Sequence, residues 1–227
     1  MAFVLKCPLP TSHFQIGEDV SWRILRVMAE LTNGFEFLSK LKKEVSIFGS
    51  ARLPEDSPYY QKARELSNKL AMEGFTIVTG GGPGIMEAGN RGAFDVGGQS
   101  VGLNVMLPHE QRTNQYVGKS VAFDYFFTRK VMLTAVAQVY IFFPGGFGTI
   151  DELMEILVLM QTKKMERLPM ICFGREYWGG LDDWVKKNML EVEFPMIGPE
   201  DRQLYNIVDT VEEAIAIVRN SKERLTF

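Results

Sequence analysis

The run Pro144-Gly145-Gly146-Phe147-Gly148-Thr149 is followed at once by two acids, Asp151 and Glu152. A glycine turn that opens a helix leaves backbone N–H groups unpaired and unobstructed, and phosphate binds there. A phosphate cradle by itself needs no acid. Carboxylates beside such a turn point to chemistry on whatever the phosphate is attached to.

A second glycine run, Gly80-Gly81-Gly82-Pro83-Gly84, precedes Glu87. Three adjacent glycines are more than a tight turn needs, since each costs conformational entropy. Close approach of the backbone to a ligand is the better reading, and it makes Gly81 and Gly82 candidate contacts. The run is not a dinucleotide fingerprint, because Ile85 stands where the last glycine belongs and no acid ends the following strand. The Lys and Ser/Thr of a P-loop are also missing. Glu87 could touch a ligand or simply complement a helix dipole.

Arg129 and Lys130 open a helix, where basic charge opposes the dipole. They sit between Phe126-Phe127 and Val131-Met132-Leu133. Charges embedded in an apolar run belong at a pocket rim or in an ion pair, and Glu152 is the natural partner for Arg129. His109-Glu110 falls in a loop, free to meet a ligand or only solvent.

These groups need a scaffold. Val139 to Phe143 has the length and the β-branched and aromatic content of a buried strand, and Leu153, Ile156, Leu157 and Met160 recur at helical spacing after the turn. The same reading gives strands at 45–48, 75–79, 101–105, 121–123 and 168–173. It gives helices at 19–41, 57–73, 85–96, 128–137, 181–190 and 211–220, with Asp19 or Ser21 as first cap and Asn33-Gly34 as a break. Strand–helix alternation implies an α/β doubly wound, mostly parallel sheet with helices on both faces. Residues 1–227 read as one domain, with an N-terminal arm and helical extension (1–41) ahead of a motif-bearing core (45–173). Glycine turns after residues 48, 79 and 143 all fall at strand carboxyl ends, where such sheets bind ligands.

Composition excludes several classes. A net charge of −3 gives no electrostatic case for nucleic acid. No apolar run reaches membrane length, and the Pro-broken N-terminus is no signal peptide. Cys7 and Cys172 are far apart and suit a reducing cytoplasm better than a disulfide framework. Only His13 and His109 could supply imidazole, so no metal site is expected.

Pro144 to Glu152 resembles the PGGxGTxxE motif of the Lonely guy family of phosphoribohydrolases, often mislabelled lysine decarboxylases. Gly80 to Glu87, Arg129-Lys130 and Leu107-Pro108-His109-Glu110 resemble that family's glycine-rich segment, Arg-Lys pair and substrate loop, in the same order. The likeness covers roughly residues 45–173, and the remainder resembles longer bacterial members. It implies a Rossmann-like fold, at least a homodimer, no cofactor, and hydrolysis of the N-glycosidic bond of a nucleoside 5′-monophosphate. The substrate would be AMP or a cytokinin riboside 5′-monophosphate. It places the catalytic pair on Arg129 and Glu152. It places the phosphate-binding turn on Gly145, Gly146, Phe147, Gly148 and Thr149 and the substrate-loop glutamate on Glu110; Gly81, Gly82, Glu87, Lys130 and Asp151 complete the candidate substrate contacts. The stretch from Gly82 to Glu87 departs from the short members, which leaves the base open. Pyridoxal chemistry does not fit, because no lysine lies in any of the glycine turns. The rival is a non-catalytic nucleotide sensor, or a carrier of a phosphorylated pterin-type cofactor, on the same fold.

The expected mechanism follows from the bond. Its cleavage passes through an oxocarbenium-like state. Glu152 would stabilise that cation or orient water, and Arg129 would hold Glu152 ionised. The helix from Leu153 to Met160 is apolar nearly all round, so a partner subunit or the N-terminal helix should cover it.

Overall fold

The structure, a computed structural model, describes residues 20–106 and 113–224. Seven strands form one parallel sheet: β1 (Glu44–Phe48), β2 (Thr76–Thr79), β3 (Ser100–Val105), β4 (Lys119–Phe123), β5 (Val139–Phe142), β6 (Met170–Phe173) and β7 (Asn206–Val208). Their order is β4-β3-β2-β1-β5-β6-β7. The helices are α1 (Val20–Leu38), α2 (Pro58–Met72), α3 (Ile85–Phe94), α4 (Phe126–Val136), α5 (Phe147–Gln161), α6 (Arg175–Val185) and α7 (Val211–Arg219).

The strand sequences explain the layering. They are apolar on both faces, as in a parallel sheet covered on each side. Val45, Ile47, Ile77, Val139, Ile141 and Phe173 point to one core, with Tyr60, Leu66 and Leu70 of α2, Ala88 of α3 and Val211 of α7. Their neighbours Phe48, Val78, Tyr140, Phe142 and Cys172 point to the other, with Met132 of α4, Leu153 and Ile156 of α5, and Trp178 of α6. The helices after β1 and β5 therefore leave adjacent strands toward opposite faces. This is the switch point where the carboxyl edge opens into a crevice.

Several boundaries differ from the sequence reading. α1 runs unbroken through Asn33-Gly34, because Gly34 lies against Met132 and Phe123, where a side chain would clash. Ser21 lies inside α1, and Asp19 is outside the described residues. α5 starts at Phe147, within the expected turn, so the turn is itself the helix N-terminus. α6 starts at Arg175, six residues early, despite Gly179-Gly180; burial of Trp178, whose Nε1 donates to the Phe142 carbonyl at 3.1 Å, overrides the glycines. β4 starts at Lys119, and β7 is an added strand of only three residues, too short to show a period.

Candidate active site

The crevice at the switch point is a cavity of 680 Å³. Its walls come from the loop after β1 (Gly49 to Arg52), Gly80 after β2, Phe126, Arg129 and Leu133 of α4, Gly145 to Ile150 and Glu152 at the start of α5, and Tyr177 of α6. All three strand-end glycine turns thus reach one site.

The turn after β5 is held from several sides. Ser50 donates its backbone N–H to the Pro144 carbonyl at 3.0 Å, and Tyr177 donates its hydroxyl to the Gly145 carbonyl at 2.5 Å. A Cβ on Gly145 would lie 2.0 Å from Thr149 Oγ1, so only glycine fits above the buried threonine. The amides of Thr149 and Ile150 both bond the Gly146 carbonyl. Those of Phe147 and Gly148 belong to the unpaired first turn and carry the positive end of the α5 dipole. Phe147 itself is 97% exposed at the cavity mouth.

Gly80 and Gly81 make room for protein rather than for a ligand. A Cβ on Gly80 would meet Arg129 Nη2 at 2.2 Å, and one on Gly81 would meet Asn104 at 2.6 Å. The Arg129 guanidinium crosses over Gly80 and donates from Nε to the Leu103 carbonyl at 2.7 Å. Gly81 and Gly82 offer their carbonyls to Asn114, at 2.8 and 3.0 Å, and neither lines the cavity. Glu87 also faces elsewhere: it accepts from the Tyr60 hydroxyl at 3.0 Å. Glu110 and His109 are outside the described residues.

Glu152 is 5% exposed and its Oε2 has no hydrogen-bond partner. Burial pushes its carboxyl up to about 7, against the pull of Lys130 and Arg129 and with help from Glu155 and Asp151. Arg129 favours the ionised form, as expected, but desolvation outweighs both cations, so charged and neutral forms of the carboxyl coexist near neutrality. The cation nearest Glu152 is Lys130. Its Nζ lies 2.5 Å from Asp151 Oδ2, 2.9 Å from Glu155 Oε2 and 3.7 Å from Glu152 Oε2. Burial alone would lower the Lys130 ammonium, but these carboxylates outweigh it and leave it above the usual lysine value. Arg129 is pushed down by burial and partly restored by Glu152.

Sequence reasoning did not single out Ser50, Arg52, Phe126 or Tyr177 as site residues. Ser50 and Arg52 had a signal, being placed at a strand carboxyl end. Tyr177 had none, since it arrives from a helix after the next strand. Among the described residues no acidic, His or Cys cluster could hold a metal ion.

A family model described as possible lysine decarboxylase matches residues 86–218. The chain belongs to this family. Among the relatives of this possible lysine decarboxylase family member is a cytokinin riboside 5′-monophosphate phosphoribohydrolase of Arabidopsis thaliana. It is 26% identical over 184 residues, covering 79% of this chain and 84% of the relative. A pyrimidine/purine nucleotide 5′-monophosphate nucleosidase of Escherichia coli is 27% identical over 180 residues, covering 73% of this chain but 37% of that longer protein. The X-ray structure of a structural-genomics target, TM1055, matches with a TM-score of 0.58 and 27% identity over 78% of this chain and 98% of that one. Among the described residues no lysine lines the cavity, where a Schiff-base cofactor would need one.

Proposed function

We propose that the chain hydrolyses the N-glycosidic bond of a nucleoside 5′-monophosphate, giving free base and ribose 5-phosphate. One observation carries the reading: a buried carboxyl group, Glu152, with an oxygen that makes no hydrogen bond, lines the same cavity as an open helix N-terminus. Two relatives named for this kind of activity support it.

The 5′-phosphate sits against the amides of Phe147 and Gly148 and the Thr149 hydroxyl, and this remote binding energy fixes the ribose. Glu152 takes a proton from the attacking water as general base, and its pKa of about 7 suits that task near neutrality. As the bond breaks, positive charge develops on the ribose and faces the Glu152 carboxylate and its water; the base leaves with the bond's electron pair and takes up the proton that Glu152 received, while the hydroxyl joins the ribose carbon. Arg129, held over Gly80, and Phe126 frame the cavity above α4. A carrier or sensor needs the helix N-terminus but not a desolvated carboxylate.

The chain also works, in this reading, as a cytoplasmic homodimer or larger assembly. α1 packs on α4 and β4, so it does not wrap α5, whose Val158 is 53% exposed. Trp22, Ile24, Leu25 and Met28 of α1 are exposed as well, an apolar surface that a second copy would cover. No helix among the described residues is long and apolar enough to cross a membrane.

The deciding experiment compares AMP with adenosine, measuring released adenine and the oligomer size by light scattering. Turnover of AMP far above adenosine is expected. No free base from AMP or from the other nucleoside monophosphates would leave a binding protein.

A further inference from the structure

α4 has an unusual problem at its start. It carries Arg129 and Lys130 within its first five residues, and cations there oppose the helix dipole. Its first turn contains no acidic residue, and its N-cap, Tyr125, supplies no side-chain hydrogen bond. By local rules this end should fray, yet it presents the two cations that face Glu152.

The missing acid comes from another helix. Glu30 of α1 accepts from the Asp124 amide at 2.8 Å with Oε1 and from the Tyr125 amide at 3.4 Å with Oε2. Its Oε2 also lies 2.5 Å from the hydroxyl of Thr128, which is fully buried and also 2.8 Å from the Tyr125 carbonyl. One carboxylate thus joins the two residues before α4 to its first turn and puts negative charge at the dipole's positive end. The contact is not accidental surface proximity. Gly34, one turn further along α1, approaches Met132 so closely that a Cβ would lie 2.5 Å from its sulfur. Arg23 lies over the Tyr125 ring, 5.6 Å from its centroid. α1 also lies outside residues 86–218, the part matched to the family.

We propose that Glu30 is a positioning residue: α1 is an intramolecular clamp whose carboxylate caps α4 and so holds Lys130 beside Glu152 and Arg129 in the cavity wall. The catalytic part of this inference rests on the proposed function, while the clamp itself does not. The groups facing Glu152 are Lys130 and Arg129 from α4 and Asp151 and Glu155 from its own helix. If α4 slips, the two cations withdraw and the acids remain, so ionisation of Glu152 becomes harder. Losing the Glu30 charge alone would have the opposite sign.

The test uses Glu30→Ala, Glu30→Gln and, as a control for general stability, Arg219→Ala. The control breaks the surface pair of Arg219 with Glu73, which links α7 to the end of α2 on the far face of the sheet. Hydrogen exchange of the amides from Phe126 to Lys130, AMP turnover and its pH profile are measured on the full chain. Glu30→Ala should speed exchange there and lower kcat by ~10-fold or more with KM within ~2-fold, a typical scale for misplaced catalytic groups. It should also move the acidic limb of the profile to higher pH. Glu30→Gln, which keeps an acceptor for the Asp124 amide, should recover part of kcat, and Arg219→Ala should leave the limb in place. Unchanged exchange in Glu30→Ala would overturn the clamp, whatever the activity. Faster exchange with an unmoved limb and normal kcat would overturn its link to Glu152. If the wild type releases no base from any nucleoside monophosphate, the proposed function fails, and exchange still decides the clamp.

Discussion

Lys130 Nζ lies 3.7 Å from Glu152 Oε2, while Arg129, its neighbour in the chain, turns Nε away to the Leu103 carbonyl. The two cations therefore divide their work. Lys130 sits among three carboxylates on α5 and sets how readily Glu152 loses its proton. Arg129 is fixed to the end of β3 and lines the cavity.

The pH dependence of turnover should follow Glu152. A general base must be ionised, and its carboxyl stands at about 7, so kcat/KM should rise with pH and level off above neutrality. Lys130→Met removes the largest charge that lowers this value, so the limb should move to higher pH. A pH–rate profile of both proteins checks it, and a limb near pH 4.5 in the wild type would show that burial does not raise the Glu152 carboxyl.

Glu152→Gln keeps shape and removes the ionisable group. Turnover of AMP should fall by at least ~100-fold, a usual scale for a positioned acid–base group. Nucleotide binding, measured by calorimetry, should survive, since the helix N-terminus is untouched. Near-normal turnover would remove Glu152 from the mechanism.

The turn should be intolerant at Gly145 and graded at Tyr177. Gly145→Ala places a methyl 2.0 Å from Thr149 Oγ1 and 3.0 Å from the Ser50 amide, and both must move. Affinity for a 5′-monophosphate should be lost while adenosine is little affected. Tyr177→Phe removes one hydrogen bond to the Gly145 carbonyl, worth ~1 kcal/mol, so KM should rise ~5-fold. Equal KM in both variants and wild type would show that the turn does not anchor phosphate.

Glu44 offers a stability prediction away from the site. It begins β1, is 5% exposed, and burial pushes its carboxyl up to about 7, opposed by its own backbone amide and aided by Glu223. In the folded chain it holds a proton that the unfolded chain has released between about 4.5 and about 7. The unfolded state binds fewer protons there, so stability falls as pH rises through that window. Glu152 contributes with the same sign. Melting curves from pH 4.5 to 8 should show the fall, and Glu44→Gln should flatten it. A melting temperature that rises across the window in the wild type and is unaltered in Glu44→Gln would contradict this.

The mostly parallel sheet, the glycine turns at strand ends and the pairing of a phosphate-type turn with Glu152 are legible in the chain's residues. Those features are local: a buried parallel strand is a short apolar run, and a helix N-terminus is written in the residues that open it. The roles around them emerge from the folded chain. It showed that Gly80 and Gly81 make space for Arg129 and Asn104, that Glu87 bonds Tyr60, and that Tyr177 reaches the turn from α6. It also showed that burial raises the Glu152 carboxyl despite the two cations beside it. Sequence shows which cations lie near in the chain, but a carboxyl's pKa depends on how much water is excluded around it. That burial is set jointly by α4, α5 and the sheet, through contacts between residues far apart in sequence.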